Sequence, residues 1–146
     1  MAAATAETKE TMNCTKEEFF KIISDYESYS KFLPEVKGIK VIKTTGNVKE
    51  MEYQVSVLKT FKYILKATEV PNDRMDFLFV SGDVFKSMSG YWKLSDAKDG
   101  KCQVEYKVEA SFGMLVPSSV AKTLVTVNLP IMMANFKKRV KEVYGK

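Results

Sequence analysis

The sequence contains no histidine, and this absence removes several kinds of chemistry. Histidine is the usual general base, the partner of serine or cysteine in nucleophile pairs, and the commonest ligand of transition metals. The two cysteines, Cys14 and Cys102, fit no zinc, haem or redox spacing, and we expect two isolated thiols. No metal or cofactor is therefore expected, and any catalysis would depend on carboxylates, lysine, tyrosine or arginine.

Long hydrophobic runs are also missing. No stretch approaches the roughly 20 consecutive apolar residues that span a bilayer, so any membrane contact is expected to be peripheral. The segment from Met1 to Glu10 has no apolar run and carries two glutamates, unlike a secretory signal or an Arg-rich transit peptide. We therefore expect a cytoplasmic protein. Its 146 residues, 45% of them hydrophobic, suit a single domain over 1–146.

Charge is only mildly one-sided. The net charge is +5, but lysine and glutamate alternate through most of the chain, which is usual for solubility. The basic block Lys137-Lys138-Arg139-Val140-Lys141 lies near the end of a predicted helix, where cations stabilise the helix dipole. An acidic partner is the alternative, with anionic lipid ahead of nucleic acid, because no RNA-binding motif or zinc finger accompanies the charge. Nucleic acid is not expected as a partner.

The first part of the chain predicts an edge strand and two short helices. Residues 3–12 are predicted to form the strand. Thr15-Lys16-Glu17-Glu18 has the form of a capping box and is followed by apolar residues at helical spacing, which predicts a helix over about 15–25. A second short helix must end by Pro34, because a proline ring disfavours a helical residue before it.

From Val36 to Phe112 the hydrophobic pattern has period two, which predicts six antiparallel strands with one apolar face. The predicted turns are Thr45-Gly46-Asn47, Pro71-Asn72-Asp73, Ser81-Gly82-Asp83 and Lys98-Asp99-Gly100. From Pro117 to about Tyr144 the pattern returns to helical spacing, with a kink expected at Pro130. The face predicted for this helix holds Ser118, Val120, Ala121, Leu124, Val127, Asn128, Ile131, Asn135 and Arg139. The fold class is therefore α+β: a curved six- to seven-stranded antiparallel sheet, two short helices and one long C-terminal helix.

A sheet covered by a single helix cannot be filled everywhere, which predicts an apolar cavity between them. Gly90 is expected to leave space on the apolar face, and no inward carboxylate is obvious. Ordinary core packing remains the alternative for each position. The polar candidates inside the cavity are Tyr53, Tyr63, Tyr106, Asn128 and Asn135. The predicted ligand-binding residues are Phe61, Tyr63, Met75, Phe77, Met88, Trp92, Tyr106, Val108, Leu124, Asn128, Ile131 and Asn135.

Three segments carry a resemblance to a known family. The block from Glu18 to Val36 is similar to the opening of coenzyme Q-binding and polyketide cyclase/dehydrase-type proteins. Gly90-Tyr91-Trp92-Lys93-Leu94 resembles the family's Gly-x-Trp strand, and Leu129 to Arg139 resembles the end of its long helix. With the order of elements, these segments resemble the START-like or SRPBCC superfamily. The resemblance implies a helix-grip fold with an elongated apolar tunnel for lipids, isoprenoid quinones, sterols or polyketides.

Three functions follow as hypotheses. The first is binding or transfer of a hydrophobic small molecule, such as a lipid, an isoprenoid quinone or a polycyclic compound. The alternative is a polyketide cyclase/dehydratase-type enzyme with a tyrosine as acid. A protein-interaction role is a third possibility. The cavity is predicted to open between residues 32–34, 81–83 and 115–117, where apolar loop residues would favour peripheral membrane contact.

Overall fold

The computed structural model describes residues 3–57 and 59–145, which form a seven-stranded antiparallel sheet and a long C-terminal helix. The strand order is β1-β7-β6-β5-β4-β3-β2. The predicted edge strand is confirmed, because β1 pairs with β7 at one edge of the sheet. The strands are β1 Ala3–Met12, β2 Val36–Thr45, β3 Val48–Val57, β4 Lys59–Val70, β5 Arg74–Gly82, β6 Phe85–Asp96 and β7 Cys102–Phe112.

The predicted first helix is α1, Lys16–Ile23, and it ends two residues earlier than expected. Its capping box is formed: the Glu18 backbone N–H donates to the Thr15 hydroxyl at 3.1 Å, and the Thr15 N–H donates to the Glu18 carboxylate at 2.9 Å. These bonds satisfy two donors that the first helical turn would otherwise leave unpaired. The second short helix is a 3₁₀ helix, Tyr26–Lys31, which ends before Pro34 as predicted.

The long C-terminal helix begins directly after Pro117 and has three parts. They are α2 Ser118–Lys122, a π-helical turn Thr123–Val127, and α3 Asn128–Tyr144, which ends at Gly145 in the left-handed conformation. The helix continues through Pro130, so the expectation of one helix and not two is confirmed. No helix within 3–57 and 59–145 is long and apolar enough to cross a membrane.

The π-helical turn changes which face of the helix is buried. A π turn closes its hydrogen bonds over five residues where an α turn uses four, so it shifts the later residues by about one position. After Ala121, the buried positions are therefore Val125, Leu129, Met133, Phe136 and Val140. The predicted face is therefore wrong from Ile131 onward, and Ile131 itself is 54% exposed.

Alternation along the strands is confirmed, but the expectation of empty space at Gly90 is wrong. Gly90 pairs with Phe77 on the neighbouring strand, and the Phe77 ring lies across the glycine. A Cβ atom built on Gly90 would lie 2.3 Å from the ring and 2.3 Å from the Lys107 carbonyl oxygen. An aromatic ring on one strand thus fills the position that glycine leaves open on the next.

The two cysteines lie together, so the expectation of isolated thiols is wrong. Both are fully buried, Cys14 just after β1 and Cys102 at the start of β7, where it pairs with Met12. A hydrogen bond with the Cys14 thiol lowers the pKa of Cys102. The thiols join the end of the edge strand to its neighbour.

We expect Gly90→Ala to lower the free energy of unfolding by about 1–3 kcal/mol, since the added methyl group meets a backbone carbonyl that cannot move aside. Gly38→Ala is the matched control, because a Cβ there meets nothing within 4 Å. Denaturant unfolding of both variants measures the difference. Equal stability of the two would contradict the packing described at Gly90.

Candidate ligand-binding cavity

A cavity of about 150 Å³ lies between the apolar face of the sheet and the long helix. Ten of the twelve residues predicted from the sequence line it. They come from strands β4 to β7 and from the first half of the long helix, so residues far apart in the sequence share one wall. The ten are Phe61, Tyr63, Met75, Phe77, Met88, Trp92, Tyr106, Val108, Leu124 and Asn128.

Ile131 and Asn135 are not among the lining residues. The one-residue shift at the π turn explains both, because it brings Leu129, Met132 and Phe136 to the cavity in their place. A prediction that assumes an uninterrupted α-helix cannot include this shift. Of the two predicted helix amides, Asn128 alone reaches the cavity.

The sequence reasoning also missed the cavity wall that the 3₁₀ helix and the following turn supply. Tyr26 and Tyr29 come from the 3₁₀ helix, and Leu33 and Glu35 come from the turn. The spacing of Tyr26, Tyr29 and Leu33 at three and four residues was the available signal for one buried face. Glu35 places a carboxylate on the cavity wall.

Trp92 belongs both to the cavity wall and to the junction that holds the helix. Its ring centroid lies 5.0 Å from that of Phe136 on α3 and 5.8 Å from that of Phe19 on α1. Tyr106 on the neighbouring strand lies 4.6 Å away. Ring pairs at such distances contribute beyond their buried area. Trp92 therefore lines the cavity and also anchors the long helix to the sheet.

Three tyrosine hydroxyls in the cavity make no hydrogen bond with any residue in the described ranges: Tyr53, Tyr63 and Tyr106. The other four tyrosine hydroxyls each donate a hydrogen bond. Tyr26 donates to Glu69, Tyr29 to the Ile23 carbonyl, Tyr91 to Glu105 and Tyr144 to the Glu18 carbonyl. The rings of Tyr53 and Tyr63 are stacked at 5.2 Å. The three hydroxyls are thus available to whatever occupies the cavity.

Burial keeps these tyrosines neutral. It raises the pKa of Tyr53 and Tyr106 and raises that of Tyr63 well above the usual value, because a phenolate would lose its hydration. The Glu35 carboxylate adds to the effect at Tyr63. The three groups remain hydrogen-bond donors at any physiological pH. The Asn128 amide, half-buried on the opposite wall, makes no side-chain hydrogen bond within the described part of the chain either.

A buried carboxylate, Glu69, holds the 3₁₀ helix to the sheet, and the expectation of no inward carboxylate is wrong. Glu69 is 7% exposed and accepts a hydrogen bond from the Tyr26 hydroxyl. Both of its carboxylate oxygens lie 2.9 Å from the Lys49 ammonium. The Tyr26 oxygen also lies 3.5 Å from the Met75 sulfur, beside the cavity. Burial and the bond to Glu69 raise the pKa of Tyr26, which therefore stays protonated.

The alternation of β4 contained the signal for this group. Glu69 follows Phe61, Leu65 and Ala67 on the inward parity of the strand. Lys49 has the inward parity of β3, opposite Ala67. A lysine and a glutamate at matching inward positions of adjacent strands predict an ion pair, which a search for apolar residues passes over.

We expect Lys49→Met to lower the free energy of unfolding by about 2 kcal/mol, because Glu69 then loses its cation while buried. The cost is below that of a fully buried pair, since the Lys49 side chain is 26% exposed. Lys66→Met, on the outer face of β4, is the control and should change stability little. Adding Glu69→Leu to Lys49→Met should recover part of the loss. A Lys49→Met protein as stable as the control would contradict the pairing.

Comparison with known proteins places this chain in a family. Residues 12–137 match the family described as polyketide cyclase / dehydrase and lipid transport. Ribosome association toxin RatA of Escherichia coli K12 is 22% identical over 130 residues, covering 88% of this chain and 82% of RatA. Coenzyme Q-binding protein COQ10 homolog B of Xenopus laevis is 22% identical over 134 residues, covering 89% of this chain and 55% of that protein.

A solved structure confirms the fold. The START superfamily protein from Mycobacterium smegmatis superimposes with a TM-score of 0.84, covering 95% of this chain and 98% of that one, at 16% identity. At this identity the likeness concerns the fold alone, and it confirms the expected helix-grip arrangement. Because the family match spans most of the sequence, the chain belongs to the polyketide cyclase / dehydrase and lipid transport family, within the START-like superfamily.

Proposed function

We propose that residues 1–146 act as one START-like domain that binds or transfers a hydrophobic small molecule in the cavity. The observation that carries this proposal is the composition of the wall. Large aromatic and aliphatic side chains form most of it, and four of its polar side chains, Tyr53, Tyr63, Tyr106 and Asn128, make no side-chain hydrogen bond in the described chain. Apolar walls with a few convergent polar groups are typical of small-molecule sites.

The apolar wall supplies affinity and the polar groups supply orientation. Burial of ligand surface contributes about 25 cal/mol per Å². A ligand oxygen near the three phenols gains hydrogen bonds from donors that are already held in place, so little ordering cost remains. We assign ligand contact to the ten lining residues predicted from the sequence, and not to Ile131 or Asn135.

The size of the cavity points to an adaptable site. A volume of about 150 Å³ suits one ring or a short chain. Four methionines, Met51, Met75, Met88 and Met132, line it. Methionine side chains have several rotatable bonds and repack at low cost. Longer prenyl, acyl or polycyclic ligands are therefore accommodated by movement of these side chains.

Titration of Trp92 emission tests the site directly, because Trp92 is the single tryptophan of the chain. We expect a short-chain quinone to quench it saturably. Leu124→Phe, which narrows the cavity, should weaken binding about tenfold, corresponding to roughly 1.4 kcal/mol. Val127→Phe is the control on the same helix, since Val127 is 56% exposed. Equal affinities of the two variants would remove the cavity from the binding site.

Replacement of Asn128 distinguishes the contribution of hydrogen bonding to ligand affinity from that of apolar burial. We expect Asn128→Leu to weaken a ligand with a polar head about five- to tenfold, in keeping with about 1 kcal/mol for a hydrogen bond. Thermal stability should hold or rise, because an unpaired buried amide is costly. Binding of a ligand without a polar head should not weaken. Lowered stability with unchanged affinity would show that Asn128 is structural.

An enzymatic role is the second candidate, and Glu35 is the observation that favours it. A carboxylate on the wall beside the Tyr63 phenol is a base next to an acid, the combination that a cyclase or dehydratase needs. Mass spectrometry of a ligand recovered after incubation distinguishes the roles: a bound compound returns unchanged, and a substrate returns cyclised or dehydrated. Glu35→Gln should abolish any such conversion and leave binding.

Nucleic acid is not proposed as a partner, although several relatives are named for ribosome association. In the basic block, Lys137 is paired with Glu10 at 2.6 Å, and Arg139 lies near Glu142 at 3.9 Å and over the Phe32 ring at 5.4 Å. Phosphate binding depends on cations that are available to the backbone of the nucleic acid. Cosedimentation with ribosomes is the direct measurement. A cytoplasmic location stays a prediction from the N-terminal sequence.

A further inference from the structure

Two neighbouring apolar side chains are far more exposed than any others in the described chain. Met114 is 87% exposed and Leu115 is 97% exposed, whereas the remaining exposed large apolar residues lie between 46% and 56%. Those others belong to strands or to the long helix, such as Leu78 and Ile131. Met114 and Leu115 form the tip of the loop 113–117, which connects β7 to α2. Nothing within the described residues covers this tip.

The loop lies at the end of the sheet where the cavity wall is made by turns. Strand register brings together the start of β2 with the end of β3, the start of β4 with the end of β5, and the start of β6 with the end of β7. Leu33, Glu35 and Phe85 line the cavity from this end. The loop is tied to it by the Gly113 N–H, which donates to the Val84 carbonyl at 2.9 Å.

The same end carries an excess of cations. Lys37, Lys59, Lys86 and Lys122 are exposed, and none of them lies within ion-pair distance of an acidic side chain in the described ranges. Lys59 begins β4, Lys86 follows the first residue of β6, and Lys122 lies in the first turns of the long helix. The acidic groups at this end are Glu35, on the cavity wall, and Asp83. Apolar side chains surrounded by lysines complement an anionic lipid surface.

We propose that the Met114–Leu115 tip inserts into the surface of a bilayer containing anionic lipid and turns this end of the cavity toward the membrane. The inference rests on the proposed function, in that it gives the ligand a path from membrane to cavity. The two side chains leave water for the interfacial region, and the lysines remain at the level of the phosphates. An apolar ligand then passes between bilayer and cavity without the unfavourable exposure of its apolar surface to water.

Cosedimentation with sucrose-loaded vesicles tests this docking. The vesicles are phosphatidylcholine alone, or phosphatidylcholine with about a third phosphatidylserine. We expect the wild-type chain to bind the anionic vesicles and the Met114→Ser, Leu115→Ser double variant to bind at least about tenfold more weakly. The control is Val127→Ser, Ile131→Ser, which removes two exposed apolar side chains from the helix and should bind as the wild type does. Thermal unfolding verifies that both variants are folded.

The lysines are tested separately from the loop. Lys86→Glu, Lys122→Glu should weaken binding to anionic vesicles and reduce its dependence on salt, because surface electrostatics are screened over about 10 Å at 0.1 M salt. Lys138→Glu, Lys141→Glu, in the basic block near the C-terminus, is the matched charge control. If the control pair weakens binding and the first pair does not, the membrane-facing surface has been assigned to the wrong end of the molecule.

Three results would overturn the proposal. The first is that the wild-type chain binds neither vesicle type. The second is that the loop variant binds vesicles as well as the wild type does. The third is that the wild type is a dimer and the loop variant a monomer, which would make the tip a contact between two copies. Trp92 titration without vesicles distinguishes this failure from failure of the proposed function. If the loop variant keeps its ligand affinity but loses vesicle binding, the result supports both the docking proposal and the cavity function. If the wild-type chain binds vesicles but binds no ligand, the result contradicts the cavity function alone.

Discussion

The junction of Trp92, Phe19 and Phe136 is the contact on which the rest of the arrangement depends. One ring comes from the sheet, one from α1 and one from α3, with centroids 5.0–6.0 Å apart. Beyond this junction the last turn of α3 is fixed to α1, where the Tyr144 hydroxyl donates to the Glu18 carbonyl at 2.8 Å. The helix is thus held firmly in its second half.

The first half of the helix passes over the sheet at a point where no comparable aromatic junction among residues 3–57 and 59–145 holds it. Leu124, Asn128 and Met132 are only half-buried there, and the cavity lies beneath them. A cavity in this position is a consequence of where the helix is anchored, and it needs no special residue at its centre. Gly90 contributes no space to it, because the Phe77 ring fills the position that the glycine leaves open.

The two ends of the molecule have opposite characters. At one end the Tyr26, Glu69 and Lys49 side chains satisfy one another and hold the 3₁₀ helix against β3 and β4. The other end carries the exposed Met114 and Leu115 and several lysines that have no ion-pair partner in the described chain. A polar network in which all members are partnered rigidifies its surroundings, while a loop with few contacts opens at low cost. The fold therefore has a rigid end and a more easily opened end, and the cavity lies between them.

Much of this could be predicted from the sequence, because period-two alternation and a capping box are local signals. They indicated the strands, α1, the start of the long helix and ten lining residues. The remaining features depend on relations between distant residues. The Phe77 ring over Gly90 requires the β5–β6 register, and the Glu69–Lys49 pair requires the β3–β4 register. An α-helical period continued through the π turn misplaces Ile131 and Asn135, because the hydrophobic pattern does not reveal the turn.

The π turn also affects how this chain is compared with its relatives. A turn that contains one additional residue is equivalent to an insertion within a helix. A related helix without this turn faces the cavity with residues whose numbers differ by one. Aligned without a gap between Lys122 and Asn128, such a helix would place opposite Ile131 the residue that corresponds in space to Met132. A single gap restores the structural correspondence. Cavity residues in this half of the family fold are therefore identified by superposition, and by sequence only after the turn has been located.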